Sequence, residues 1–290
     1  MPNYRKYNVK LASLRNMQRV TKTMKMVSAT KLRRAQAAEE QASRFAARLQ
    51  GVALGFLQGG GLDPHPLMIH RSPIKNGLLL VVSSDKGLCG GFNSNLIRHV
   101  HEWVEANQAR FRRLRVSFAG RKAQVALKDK MEVRNAYEGV VTNPAYASAV
   151  RIGKDLAEAF LARRYDEIYI AYNAYHGALS QEPVVVKLLP VGLDNLPKAG
   201  QGGASREYLC EPDLQSLLGV FLAKLVNFTV YHALLHNAAG EHGARMTAMD
   251  NATTNIDHLT VRYTKLRNQA RQASITSELS EIISGAEALK

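Results

Sequence analysis

Proline is missing from both ends of the chain. None occurs from residue 3 to 63 or from 213 to 290, and eight of the nine fall between Pro64 and Pro212. Proline removes a backbone donor and clashes with the preceding helical turn, so its absence permits long uninterrupted helices at the two ends. Cysteine is scarce as well. Cys89 and Cys210 stand far apart, which argues against a disulfide framework and for reduced thiols in a cytosolic setting. No stretch of about 18 apolar residues free of charge occurs, which argues against a membrane span. The opening MPNYRKYNVKLASLRNMQRV is basic but lacks the apolar run of a secretion signal, and a helical pattern runs straight through it, so it reads as mature protein.

Acidic residues are rare in the first 58 positions, where twelve Lys or Arg face only Glu39 and Glu40, giving +10. Residues 213–290 hold seven basic and seven acidic residues, and the middle holds twenty and fifteen, giving 0 and +5 of the total +15. The positive field therefore belongs mainly to the first segment. It suits an acidic partner: nucleic acid, anionic lipid or an acidic protein surface.

What is present divides into three parts, 1–58, 59–212 and 213–290. In the first, Leu14, Met17, Val20, Met24, Val27, Leu32, Ala35 and Ala38 recur at helical spacing. In the last, a run from Leu214 through Leu218, Phe228, His232, His242, Met249, Thr253, Ile256, Leu259, Tyr263 and Leu266 to Ala270 and Ala273 alternates by four and three. An average near 3.5 is the coiled-coil period and predicts a left-handed supercoil. Small and polar residues interrupt both stripes, so neither makes a strong zipper. About 75 helical residues would span roughly 110 Å, against a diameter near 40 Å for a middle domain of about 150 residues. The expectation is an overhanging helix pair that something encloses.

The middle alternates strand and helix. Gly77–Ser83, Leu114–Ala119, Ile168–Tyr172 and Val184–Leu189 read as strands. Asn93 to Asn107 (capped by Asn93), Arg121–Lys130 and Ala145–Arg163 read as helices. The pattern predicts an α/β layer with a mostly parallel sheet. Gly59–Gly61 marks a break and Gly192–Ser205 a loop.

Four features could carry chemistry. Ser84-Asp85-Lys86-Gly87-Leu88-Cys89-Gly90-Gly91-Phe92-Asn93 is a glycine-rich strand-to-helix turn. A P-loop would need Lys-Ser/Thr after its last glycine, and G-x-G-x-x-G is absent, so the turn reads as structural. Cys89 has no histidine beside it in sequence and reads as a bystander rather than a nucleophile. His232 and His236 share a helix face at i, i+4 but lack the H-E-x-x-H glutamate, so they read as a packing pair rather than a metal site. The basic residues of the first segment are interleaved with its apolar stripe, unlike a DNA-binding arm ahead of a zipper, which argues against nucleic acid.

Three stretches combine into something specific. They are Val20-Thr21-Lys22-Thr23-Met24-Lys25-Met26-Val27-Ser28-Ala29, the Asp85-Lys86-Gly87-Leu88-Cys89-Gly90-Gly91 turn, and Ala244 to Met249 with Ala270-Arg271-Gln272-Ala273-Ser274-Ile275-Thr276-Ser277-Glu278-Leu279-Ser280-Glu281-Ile282-Ile283-Ser284-Gly285-Ala286. Together, and in collinear order over nearly the whole chain, they resemble the gamma-subunit family of F-type ATP synthases. The resemblance implies an α/β fold class: a long antiparallel coiled coil of the N- and C-terminal helices plus a central Rossmann-like α/β domain. It implies a central-stalk rotor that catalyses nothing and holds no cofactor or metal. One copy would insert into a hexamer of alternating alpha and beta subunits, with its foot on epsilon and the membrane c-ring. It further implies a peripheral position at the cytoplasmic face of the membrane, and a coupling of proton flow to the beta sites. Met24, Lys25, Arg245, Arg271, Gln272, Thr276, Glu278 and Glu281 match positions that contact beta or stiffen the shaft.

Overall fold

A computed structural model describes residues 4–58, 65–192 and 214–287 of the chain. The break at Gly59–Gly61, all but the first residue of the Gly192–Ser205 loop, Cys210 and Lys290 lie outside them. The chain falls into two compact units, residues 29–244 and residues 1–28 with 245–290.

The larger unit is built on a five-stranded sheet in the order β3-β2-β1-β4-β5. Its strands are β1 (Asn76–Val82), β2 (Arg113–Ala119), β3 (Glu132–Tyr137), β4 (Glu167–Gly177) and β5 (Ser180–Leu189). The first four run parallel, and β5 returns antiparallel as a hairpin on β4. The helices are α1 (Tyr4–Gln58), α2 (Phe92–Asn107), α3 (Arg121–Leu127), α4 (Tyr146–Leu161) and α5 (Leu214–Glu287). The apolar run Leu78–Val82 is buried on both faces, as a central parallel strand must be. Leu78, Leu80 and Val82 face α4 and the 218–234 stretch of α5, whereas Leu79 and Val81 face α2 and α3.

Gly153 of α4 is what lets α5 approach. A Cβ there would fall deep inside Asn227 and 3.0 Å from its Cα. One 18-residue window of α5 reaches a mean hydropathy of 1.5, enough for a membrane span by length and composition alone. In this unit, however, Leu218, Leu222, Val226, Val230 and Leu234 belong to the core over the sheet.

Three expectations need correction. Helix α2 begins at Phe92 behind Gly91 without a side-chain cap, and Asn93 instead turns back to the Ser84 amide. Helix α3 stops at Leu127 rather than Lys130. Strand β3 had no counterpart in the sequence reading. It is an edge strand, largely exposed, with Val133 39 % accessible, so it carries no apolar run to announce it.

The smaller unit pairs α1 up to residue 28 with α5 from residue 245. Leu11, Leu14 and Ser28 of α1 and Met249, Thr253, Ile256 and Ala270 of α5 are buried there.

Candidate functional site

The helix pair is held by a polar ladder. Gln18 Nε2 donates to Asp257 Oδ1, the hydroxyls of Thr21 and Thr253 meet at 2.8 Å, and Lys25 Nζ lies 2.6 Å from Asp250 Oδ1. Tyr7 and Tyr263 rings follow at 6.3 Å. Residue numbers rise on one helix as they fall on the other, so the pair is antiparallel. The inward face of α1 is therefore Leu11, Leu14, Gln18, Thr21, Lys25 and Ser28, a strict alternation of three and four. The expected stripe agrees at Leu14, and at Leu32 in the larger unit, but not between them. Met17 is 53 %, Val20 57 % and Val27 50 % exposed, and at 100° per residue they share an outer face with Val9. The physical reason is that α1 carries two stripes. The partner helix selects the polar one because Asp250, Thr253 and Asp257 lie opposite it.

The register also tells where the pair ends. Seventeen residues before Thr21 lies Tyr4, and seventeen beyond Thr253 lies Ala270, the last buried side chain of α5. Beyond it, α5 has no described α1 residue opposite, and residues 278–286 are all exposed.

Five of the eight expected contact residues stand on this stretch. Arg271, Gln272, Thr276, Glu278 and Glu281 are exposed. Ser274 Oγ donates to Glu278 at 3.0 Å and Ser277 Oγ to Glu281 at 3.3 Å, which orients both carboxylates along the helix. Thr276 returns its hydroxyl to the Gln272 carbonyl. Met24 and Lys25 are half-buried, and Arg245 is buried, at 7 % exposure. Ile275, Leu279, Ile282 and Ile283 form an apolar stripe on one side of the stretch, 44 to 68 % exposed.

The glycine-rich turn sits at the carboxyl end of β1, beside the point where the strand order reverses, which is where α/β sheets bind ligands. Here the crevice is filled from within. Asn237 of α5, fully buried, donates to the Ser83 carbonyl at 3.2 Å, and Gly240 brings α5 onto the Phe92 ring. The amides at the start of α3 are taken as well, Arg121 by Asp85 Oδ1, Lys122 by the Ser84 carbonyl and Ala123 by Ser83 Oγ. Gly120, at φ +104°, allows that approach, since a Cβ would run into the Ser83 carbonyl. No open amide cradle for a phosphate remains at this helix. Cys89 is buried and lies 3.2 Å from Asn93 Nδ2.

Glu39 of α1 joins His232 and His236 of α5, their ligand atoms all within 4.8 Å of one another. The tautomer argues against a metal. The Tyr175 amide donates to His236 Nδ1 at 2.9 Å, so in the neutral ring the proton sits on Nε2, 3.4 Å from Glu39 Oε1. A metal would have to displace that proton and leave the ring without one, against the usual arrangement in which the second ring nitrogen donates. Burial, then the neighbouring His236, pushes the His232 pKa down to about 4, against the opposite pull of Glu39. Burial also lowers that of His236, and Glu39 opposes the fall.

Comparison with known proteins bears on the whole chain. Residues 3–289 match the family described as ATP synthase. The sequence is 40 % identical to the ATP synthase gamma chain of Geotalea daltonii and 39 % identical to that of Anaeromyxobacter sp. strain K, each alignment covering all of both chains. Among solved structures, it is similar to a chain of the Tetrahymena thermophila mitochondrial ATP synthase central stalk and c-ring. That match has 27 % identity and a TM-score of 0.58, and covers 80 % of this chain and 99 % of that one. A rotor chain of the Euglena gracilis mitochondrial enzyme shares the fold at 21 % identity and a TM-score of 0.66, covering 94 % and 98 %.

Proposed function

The chain belongs to the ATP synthase gamma-chain family, and from that premise we propose that it is the central-stalk rotor subunit of an F-type ATP synthase. It catalyses nothing itself. Its helix pair turns inside a ring of alternating alpha and beta subunits and imposes different conformations on the beta sites, while the α/β unit meets epsilon and the membrane c-ring. Of the parts 1–58, 59–212 and 213–290, the first and last supply the two shaft helices and the middle supplies the foot, which also draws in residues 29–58 and 214–244 of those helices. The chain lies peripherally at the cytoplasmic face of the membrane, and its turning couples proton flow to ATP synthesis.

The observation that carries this reading is the stretch of α5 beyond Ala270. This stretch packs against no described residue of α1, yet it presents Ile275, Leu279, Ile282 and Ile283 to solvent. Such a helix needs a sleeve. The outer stripe of Met17, Val20 and Val27 asks for the same cover. We assign the partner contacts to Arg271, Gln272, Thr276, Glu278 and Glu281 on the unpaired stretch and to Met24 and Lys25 on α1. The buried Arg245 stiffens the shaft.

Co-expression with alpha and beta chains tests the assignment. One copy of this chain should co-purify per hexamer, and hydrolysis by the hexamer should depend on it. Recovery of this chain alone, with the hexamer assembling and turning over unaffected, would refute it. Replacing Ile275, Leu279 and Ile282 together by Ser should leave the α/β unit folded and weaken retention in the complex.

A further inference from the structure

We propose that Asp250 is an internal competitor for the acidic partner surface at Lys25. The Lys25 ammonium passes between Asp250 and a partner carboxylate, so that contact is made and released rather than held. The inference rests on the rotor reading and adds a residue to it.

The charge layout isolates this pair. Residues 1–28 carry seven basic residues and no acid, and residues 245–277 carry five basic residues with Asp250 and Asp257 as their only acids. Asp257 is engaged by the neutral amide of Gln18. Asp250 instead meets a cation, Lys25, at 2.6 Å. The two side chains are 43 % and 54 % exposed, so both ends of the pair stay open to a third charge. An exposed pair of this kind exchanges partners at little cost. Asp250 acts twice on an arriving carboxylate: it occupies the ammonium, and its own negative charge repels the newcomer. Both effects favour release. Lys25 lies on the inward face next to Met24, so its backbone is fixed while its long stem can swing.

The test uses the assembled complex of this chain with alpha and beta, carrying Asp250→Asn, Lys25→Gln or both, with ATP-hydrolysis turnover read at low and high salt. Asp250→Asn frees Lys25 and removes the repulsion. Turnover at low salt should fall about two- to fivefold, the range that an exposed ion pair supports. The fall should vanish at high salt, where the contact is screened, and in the Lys25→Gln background. Asp250→Ser should behave as Asp250→Asn does, which separates loss of the charge from any effect of the new amide. Wild-type turnover in Asp250→Asn at low salt, or a loss that survives in the double variant, overturns the proposal. Failure of the unaltered chain to assemble overturns the rotor reading itself and this inference with it. Normal assembly without the Asp250 effect overturns this inference alone.

Discussion

Where α5 lies over the sheet, its inward residues are Leu218, Leu222, Val226, Val230 and Leu234, all at 3 % exposure or less. Where it pairs with α1, they are Met249, Thr253, Ile256 and Ala270, each 5 to 8 % exposed; Thr21 meets Thr253 from the other helix, and Gln18 and Lys25 reach the exposed Asp257 and Asp250. One continuous helix thus obeys two packing rules. In the α/β unit, the buried carboxylate of Glu167 is engaged on several sides. Glu167, 4 % exposed, accepts from Lys187 at 2.6 Å, Tyr169 at 2.7 Å and Arg110 at 3.3 Å. Burial works to raise its pKa, and Lys187, first among these partners, holds it below the usual carboxylate range. In the helix pair, the Lys25–Asp250 and Gln18–Asp257 contacts are exposed and the Thr21–Thr253 contact is half-buried, and an exposed ion pair of this kind is worth little. The lesson is that one unit is built to be specific and the other to be stiff but replaceable.

The contrast breaks first, and with the largest effect, at Gly153. Gly153→Val would drive a side chain into Asn227, where even a Cβ lies 3.0 Å from the α5 backbone. Neither helix can retreat without opening the core over β1. The expected cost is about 3 kcal/mol or more, read as a lower thermal midpoint or loss of soluble protein. A variant as stable as the parent would mean that α4 and α5 are not close-packed, and the contrast would lose its better-defined half.

A smaller effect comes from pH. The folded-state pKa of His232 is about 4, below the roughly 6.5 of an unfolded histidine. The unfolded chain therefore binds the extra proton first as pH falls. The stability from keeping this ring neutral is fully present above pH ~6.5, declines on acidification and is gone below pH ~4, a change of up to about 3 kcal/mol. The groups facing the ring are Glu39 from α1 and His236 on its own helix, and His176, paired with Glu182, acts on His236 in turn. His232→Gln should flatten the fall in thermal midpoint between pH 7 and pH 5 (amide-exchange protection in α1 from residue 32 to 42 should follow). An unchanged pH slope in that variant would show that His232 contributes nothing to the acid sensitivity of the α/β unit.

How much of this was legible in the sequence differs between the units for the same reason. In the α/β unit, burial on both faces writes itself as an apolar run, so Gly77–Ser83 and Ala145–Arg163 located β1 and α4 within a residue or two. Strand β3 is largely exposed at the sheet edge and wrote no such signal. In the helix pair, hydrophobicity pointed to Met17, Val20 and Val27, which face outward. A seam of Gln18, Thr21, Lys25 and Ser28 has no apolar signature, and only its complement on α5 reveals it. The contact residues themselves came from likeness to a family. Exposed polar side chains such as Glu278 and Glu281 look alike on any helix, and what sets this stretch apart is that no described residue of α1 lies beside it.

The smallest expected effect falls on the centre of the ladder and sharpens the comparison most. Thr21 and Thr253 have two hydroxyl protons between them, and three contacts compete for these: the hydroxyl pair itself at 2.8 Å, Thr21 with the Gln18 carbonyl at 3.1 Å, and Thr253 with the Met249 carbonyl at 2.8 Å. One contact is always unmade. Valine has threonine's shape with a methyl in place of the hydroxyl, so changing both residues removes both polar partners together and leaves neither stranded. Such paired replacements are close to neutral or stabilising. The Thr21→Val, Thr253→Val double variant should shift stability by no more than about 1 kcal/mol, and in the stabilising direction, with greater amide-exchange protection in α1 from residue 11 to 28. Thr253→Val alone should lie between parent and double variant, because Thr21 keeps its bond to Gln18. A loss as large as that expected at Gly153 would mean that the hydroxyl pair fixes the register, and the helix pair would then be as demanding as the α/β unit.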